Sequence, residues 1–225
     1  MKLNRSREDW ILLLLAGGCL VLAYLFVRYG SEVVEGEMTT IDLAVRQWIL
    51  AHRSSAGRAF FGAVTFLGTR ELLVAAGVLV GWRLFRRTRG WVPLLVFCAL
   101  TSAQFVRFLK HVYQVRRPEG GIERSMSMSF PSGHSSGSAA ILIFLGYVAM
   151  RNGVRARIVV PVALVIVLLV GLSRIYLDMH WTSDVLGGWV IGAAFGVGCC
   201  AIFDLIQRQR ARQRNASASP QPQLQ

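Results

Sequence analysis

Acidic residues are scarce in this chain: 12 Asp and Glu stand against 25 Lys and Arg, and charges of both signs make up only 16% of its 225 residues. With 54% hydrophobic residues and a mean hydropathy of +0.48, that scarcity is incompatible with an ordinary soluble domain of this size. Cysteine is sparse as well. Cys19, Cys98, Cys199 and Cys200 all lie inside apolar stretches without CxxC spacing, which excludes a disulfide framework or a thiolate metal site and leaves small buried residues. The chain also lacks a glycine-rich nucleotide loop, internal repeats and any segment that reads as a soluble domain.

What it has instead is apolar length. Trp10–Val27 and Val185–Phe203 carry no charge, and a helix of roughly 20 such residues spans a bilayer. Leu72–Trp82, Trp91–Val106, Ser135–Met150 and Ile158–Leu172 are shorter runs whose helices extend into polar flanks. The expectation is an all-α, polytopic membrane protein with a bundle of six transmembrane helices. The N-terminus has the basic–apolar layout of a signal peptide, and Ala16-Gly17-Gly18-Cys19 faintly resembles a lipoprotein cleavage site. No A-x-A site follows, so a retained first helix is expected.

A formal charge of +13 first suggests a nucleic-acid partner, but its placement argues against one. With a cytoplasmic N-terminus, the inside segments hold Lys2, Arg5 and Arg7; Arg83, Arg86, Arg87 and Arg89; Arg151, Arg155 and Arg157; and Arg208, Arg210, Arg212 and Arg214. Glu8, Asp9 and Asp204 are the acids beside them. That is the positive-inside pattern, repeated at all four segments, and it puts both termini in the cytoplasm.

Between the first two spans, Arg28 to Thr69 cannot cross the bilayer. Ile41, Val45, Trp48 and Ile49 recur at helical spacing with Asp42, Arg46 and Gln47 between them, which predicts an amphipathic helix at the interface. Ala59–Leu67 is a second short apolar stretch, separated from the next span by Gly68-Thr69. Pro131 is expected to open the fourth spanning helix, and a tight loop over Arg174–Thr182 to precede the sixth. A single membrane domain over residues 1–207 and a disordered basic and polar tail over 208–225 complete the layout.

This topology carries three groups of polar residues to the outer interface: Lys110 with Arg117-Pro118; Pro131-Ser132-Gly133-His134; and Ser173-Arg174, His180 and Asp184. Charges beside apolar helix ends are costly without a use. Lys110, Arg116 and Arg117 can each be read as headgroup anchors, and His134 as a solvated residue behind a capping serine. At the head of a helix, however, His134 also stands beside free N–H groups that suit an anion. His180 and Asp184, four apart, share a face if the sixth helix has begun, and a carboxylate on one imidazole nitrogen leaves the other free to attack. A structural pair, or a metal held by His134, His180 and Asp184, are the alternatives. The surrounding Lys and Arg repel a dication and favour phosphate, so no metal and no cofactor are expected.

The pattern Lys110-x6-Arg117-Pro118, Pro131-Ser132-Gly133-His134 and Ser173-Arg174-x5-His180-x3-Asp184 resembles the three-part signature of the type 2 phosphatidic acid phosphatase (PAP2) superfamily, over residues 110–184. The resemblance implies that His180 is the nucleophile and forms a phosphohistidine, that Asp184 orients it, and that His134 is the general acid. Lys110, Arg117, Arg174, Ser132 and Gly133 would then hold phosphate oxygens, without a metal. It further implies a bacterial inner-membrane enzyme with its site on the periplasmic side, hydrolysing a lipid phosphomonoester or pyrophosphate. Undecaprenyl pyrophosphate is the favoured candidate, with phosphatidylglycerophosphate, phosphatidic acid and lipid A also in the class. Its partners would be that lipid and the bilayer. Thr182 stands where relatives often have Pro, and Arg116 precedes the Arg117-Pro118 pair; both bear on loop shape and substrate fit. A lipid phosphotransferase using the same residues and a non-catalytic phospholipid-binding or transport protein are the competing readings. Vanadium haloperoxidases share the signature, but those are soluble.

Overall fold

The computed structural model describes residues 7–84, 90–120 and 127–218. The basic turn at 86–89, Lys2, Arg5 and the end of the tail beyond 218 lie outside the described residues.

Where described, the chain is helical throughout: α1 (Arg7–Glu35), α2 (Thr39–His52), α3 (Ser55–Leu67), α4 (Arg70–Leu84), α5 (Trp91–Tyr113), α6 (Gly133–Arg151), α7 (Ala156–Tyr176) and α8 (Thr182–Ala218). Five of these, α1 and α5 to α8, are long and apolar enough to cross a membrane. The sixth expected span takes a different form. At 15 residues α4 is about 22 Å long, short of a hydrocarbon core about 30 Å thick. Only with α3, to which it is joined at a bend of 60° through Gly68-Thr69, does it pass as a span.

Surface composition fits a lipid surround. Leu14 and Leu20 on α1 are each 72% exposed, and α7 turns Ile158, Val162 and Leu164 outward. In water such faces would be prohibitive; against acyl chains they cost nothing. Without a hydrophobic drive between helices, close packing has to come from small residues. Gly188, Gly192 and Gly196 form a stripe on α8 against which the α6 backbone lies. A Cβ at Gly188 would sit 2.8 Å from the Ser132 carbonyl oxygen, and one at Gly196 2.9 Å from that of Ala140. The register of α6 on α8 is thereby set, and with it the position of the α6 N-terminus beside the start of α8.

Several boundaries differ from the sequence expectation, each for a local reason. Pro131 does not open α6: Ser132 is the N-cap, its hydroxyl accepting from Ser135 N at 3.4 Å, and Pro131 precedes it. The last turn of α7 includes Ser173 and Arg174, so the following loop is shorter than expected. α8 continues to Ala218 through residues expected to be disordered, because Gln207 to Arg214 are good helix formers.

Helix α2 is amphipathic as expected, with its polar side turned to the protein. Ile41 and Trp48 are exposed, whereas Asp42 is buried. Asp42 accepts from Ser183 N at 2.9 Å and Ser183 Oγ at 2.6 Å, so a carboxylate from α2 caps the positive end of α8. One turn on, Arg46 makes a two-pronged pair with Asp178, Nε to Oδ1 at 2.7 Å and Nη2 to Oδ2 at 3.0 Å. These contacts clamp the α7–α8 loop from both ends. Asp42→Ala strands a buried N–H and hydroxyl and is expected to destabilise the protein by roughly 1–3 kcal/mol. Thermal unfolding in detergent measures this, with Asp42→Asn falling between the two.

Candidate active site

The ends of α5, α6, α7 and α8 converge at one end of the bundle. His180 belongs to none of them. It lies in the loop before α8, so the pairing with Asp184 is made from loop to first helical turn, not along one helix face. His180 Nδ1 is 3.2 Å from Asp184 Oδ2, with both residues buried. Asp184 occupies the third helical position, and the same oxygen accepts from the backbone N–H of Trp181 at 2.8 Å, the residue that precedes α8. That is the returning half of a capping box, so local helix chemistry holds the carboxylate where it meets the imidazole.

A third donor to Asp184 Oδ2 is the Ser129 hydroxyl, whose Oγ is also 3.3 Å from His180 Nδ1. Ser129 is fully buried and is fixed by its neighbours. Its N–H donates to Val115 O at 2.7 Å, and the next residue, Phe130, sits among Phe26, Tyr29 and Tyr113. With Asp184 accepting, Nδ1 of His180 carries the proton and Nε2 presents a lone pair. That lone pair faces Arg117, whose Nη1 is 3.3 Å away and also donates to Met179 O at 2.7 Å. Burial, reinforced by the charges of Arg117, Lys110 and Arg174, holds the pKa of His180 well below the ordinary histidine value. The imidazole is therefore neutral at neutral pH.

The remaining residues singled out in the sequence gather around this pair. Lys110, in the last turn of α5, donates to Ser129 O at 3.0 Å and also to Met128 O. Arg174, in the last turn of α7, donates to Thr65 Oγ1 of α3 at 2.8 Å. Ser132 is buried and its backbone N–H donates to Asp184 O at 3.0 Å, tying the start of α6 to the start of α8. Gly133 and His134 are the first two residues of α6, where N–H groups have no carbonyl one turn before them. A Cβ at Gly133 would meet no heavy atom within 4 Å, so there is open space beside the start of α6. The cations grouped around His134 are Arg174, Arg70 and Arg117. No cluster of three or more His, Cys, Asp or Glu suited to a metal occurs among the described residues.

A neutral, oriented imidazole ringed by cations at a helix N-terminus is the arrangement of a phosphoryl-transfer site. The sequence model of the PAP2 superfamily matches residues 90–208, more than half of the chain. The chain belongs to the PAP2 superfamily. Phosphatidylglycerophosphatase B of Bacillus subtilis is 31% identical over 173 residues, covering 74% of this chain and 85% of that protein. Decaprenylphosphoryl-5-phosphoribose phosphatase of Mycobacterium tuberculosis is 30% identical over 133 residues, covering 56% of this chain and 67% of that protein. The crystal structure of a transmembrane PAP2 type phosphatidylglycerolphosphate phosphatase from Bacillus subtilis is similar with a TM-score of 0.77 at 25% identity, over 84% of this chain and 98% of that one. Aquifex aeolicus LpxE shares the fold, with a TM-score of 0.56 at 23% identity over 73% of this chain and 94% of that one. The protein is thus a multi-pass membrane phosphatase of the PAP2 type, a phosphoric ester hydrolase.

Around the PAP2 signature stand residues that sequence reasoning did not single out. Ser129 lies one position before the Phe130-Pro131 pair, in a Ser/Met-rich run without a spacing signal. Thr65, Arg70, Asp42 and Arg46 all precede residue 90, outside the matched segment. The one available hint was that Asp42 and Arg46 are one turn apart and so share the polar face of α2.

Proposed function

We propose that this PAP2 phosphatase hydrolyses a phosphomonoester or pyrophosphate of a membrane lipid through a phosphohistidine on His180. The observation that carries the reading is the His180–Asp184 pair at 3.2 Å with Nε2 turned toward Arg117. Nε2 attacks phosphorus in line with the leaving oxygen. Arg117, Lys110 and Arg174, with the Gly133 N–H and the Ser132 hydroxyl, hold the phosphoryl oxygens as charge spreads over them. His134 protonates the leaving oxygen, and then draws a proton from the water that breaks the N–P bond. Inorganic phosphate leaves, and His180 returns to its neutral form. The cations that do the electrostatic work belong to the chain, so no metal is required.

The site faces the periplasm of a bacterial inner membrane in this reading. Arg151 and Arg208, part of the arginine-rich segments, lie at the opposite end of the bundle, where they pair with Asp204 and Asp9. The lipid chain stays in the bilayer. An apolar cavity of about 420 Å³ between α1, α5 and α8, lined by Phe26, Phe105, Leu109, Tyr113, Ile191 and Phe195, runs along the helix that carries Lys110 and suits a prenyl or acyl chain.

Two measurements on purified protein in detergent test this. Phosphate release from undecaprenyl pyrophosphate, phosphatidylglycerophosphate, phosphatidic acid and lipid A, without an acceptor lipid, is expected for at least one of the four. Rapid quenching of labelled substrate should trap phosphate on the protein in a form that survives base and is lost in acid, as a phosphoramidate is. A trapped phosphate with the opposite stability would assign the intermediate to an oxygen nucleophile and sink the role of His180.

A further inference from the structure

Arg70 is a cation that the mechanism above leaves unused. It is the first residue of α4, at the 60° bend between α3 and α4. A positive charge there opposes the α4 dipole, and a charge in the membrane is costly without a use. Its Nε is buried and has no hydrogen-bond partner. The guanidinium lies against Gly137 of α6: a Cβ at that position would be 3.4 Å from Nη2 and 3.5 Å from Nε. Gly137 follows His134 by three residues on the same helix face, about 4.5 Å further along α6 and so deeper in the bilayer. Arg174, Arg70 and Arg117 are the cations grouped around His134, and Arg117, Lys110 and Arg174 those around His180, so Arg70 is the one added on the His134 side. Arg107 of α5 and Glu71 are the other charged groups that act on Arg70.

Two cationic stations therefore exist in line. Arg117, Lys110 and Arg174 surround the nucleophile. Arg70 stands past the proton donor, on the membrane side, where the leaving group and its lipid chain must lie. A monophosphate lipid presents an uncharged alcohol to that position as it leaves. A lipid with a second phosphate between the scissile one and the chain presents an anion there.

We infer that Arg70 is a specificity-determining residue that binds this second, membrane-proximal phosphate, so that the preferred substrates are lipids with two phosphates in series. The inference rests on the phosphohistidine reading, because that reading defines which side of phosphorus the leaving group occupies. In the diphosphate case the bond from the terminal phosphorus to the bridging oxygen breaks as the bond to His180 Nε2 forms. The bridging oxygen takes the proton of His134, and the lipid monophosphate leaves with its charge against Arg70.

The test compares farnesyl diphosphate with farnesyl monophosphate, which share one chain and differ by one phosphate. Wild-type protein is expected to favour the diphosphate in kcat/KM. In Arg70→Gln the ratio of the two kcat/KM values should fall by about 10- to 100-fold, the scale of a lost hydrogen bond to a charged group. Arg70→Lys should recover part of that ratio, since it keeps the charge but not the fork. Monophosphate hydrolysis in the same preparation reports folding. A fall by one common factor on both substrates, or an unchanged ratio, overturns the inference and leaves the His180 chemistry standing. Wild-type turnover of both substrates that persists in His180→Ala overturns both.

Discussion

Replacement of His180 by alanine is expected to reduce phosphate release by about 10⁵-fold, to the level of the uncatalysed background. The loss is that large because the nucleophile has no substitute within reach. The other groups around the proposed phosphoryl position are cations, which cannot attack, and the proposed mechanism gives His134 to the leaving oxygen. Binding should survive, since Arg117, Lys110 and Arg174 remain. Turnover lost with lipid-phosphate binding retained would also separate an enzyme from a protein that only binds or transports phospholipid. Full turnover in His180→Ala would sink the phosphohistidine mechanism. The variant leaves a cavity in a buried loop, so thermal unfolding should accompany the kinetics.

Asp184→Asn is expected to lower kcat by roughly 10³- to 10⁴-fold with a much smaller change in KM. Asn has almost the volume of Asp, so a fully buried site accepts it without a void. What changes is charge. Asp184 Oδ2 accepts from the Trp181 N–H, the Ser129 hydroxyl and His180 Nδ1. An amide can set its one oxygen there and keep these contacts, but in the proposed mechanism it no longer offsets the positive charge that develops on the His180 ring as Nε2 bonds to phosphorus. Trapped phosphoenzyme should form slowly, in proportion to kcat. A variant with normal kcat and raised KM would mean that Asp184 shapes the binding pocket and does not orient the nucleophile. Ser129→Ala, which removes one of the three donors but not the acceptor, should lose far less, about tenfold.

Legibility differs between the two. His180 and Asp184 stand out in the sequence because a four-residue spacing beside an apolar run is visible in one dimension. The condition attached to that spacing, that the sixth helix has begun by His180, is not met, since α8 begins at Thr182. The pair still forms because an acidic residue at the third helical position reaches back toward the residues before the helix. Ser129 carries no such mark. Its role follows from Phe130, which is buried among aromatic side chains of α1 and α5 far away in sequence.

The second span shows the same division. Leu72–Trp82 is legible as apolar, and Gly68-Thr69 as a break. Composition says nothing of the 60° bend, nor that this bend brings Thr65 to Arg174 and Arg70 to Gly137. Asp42 and Arg46 are legible as the polar face of an interfacial helix. A polar face beside a bilayer can meet headgroups or protein, and the sequence of that helix does not choose between them.

By itself, then, the sequence determined the helical membrane architecture, the candidate phosphoryl-transfer residues and the uneven distribution of arginine. Each is a property of runs and spacings along the chain, imposed by the thickness of a bilayer and the pitch of a helix. Only the tertiary structure decided which polar partners hold the site around His180 in place: Ser129 with Asp184, Asp42 with Ser183, Arg46 with Asp178, Thr65 with Arg174. These pairs are up to 141 residues apart. A polar group in a medium without water has to find its partner on whichever helix end packs beside it, and that choice is made by the packing of small residues on α6 and α8, not by distance along the chain.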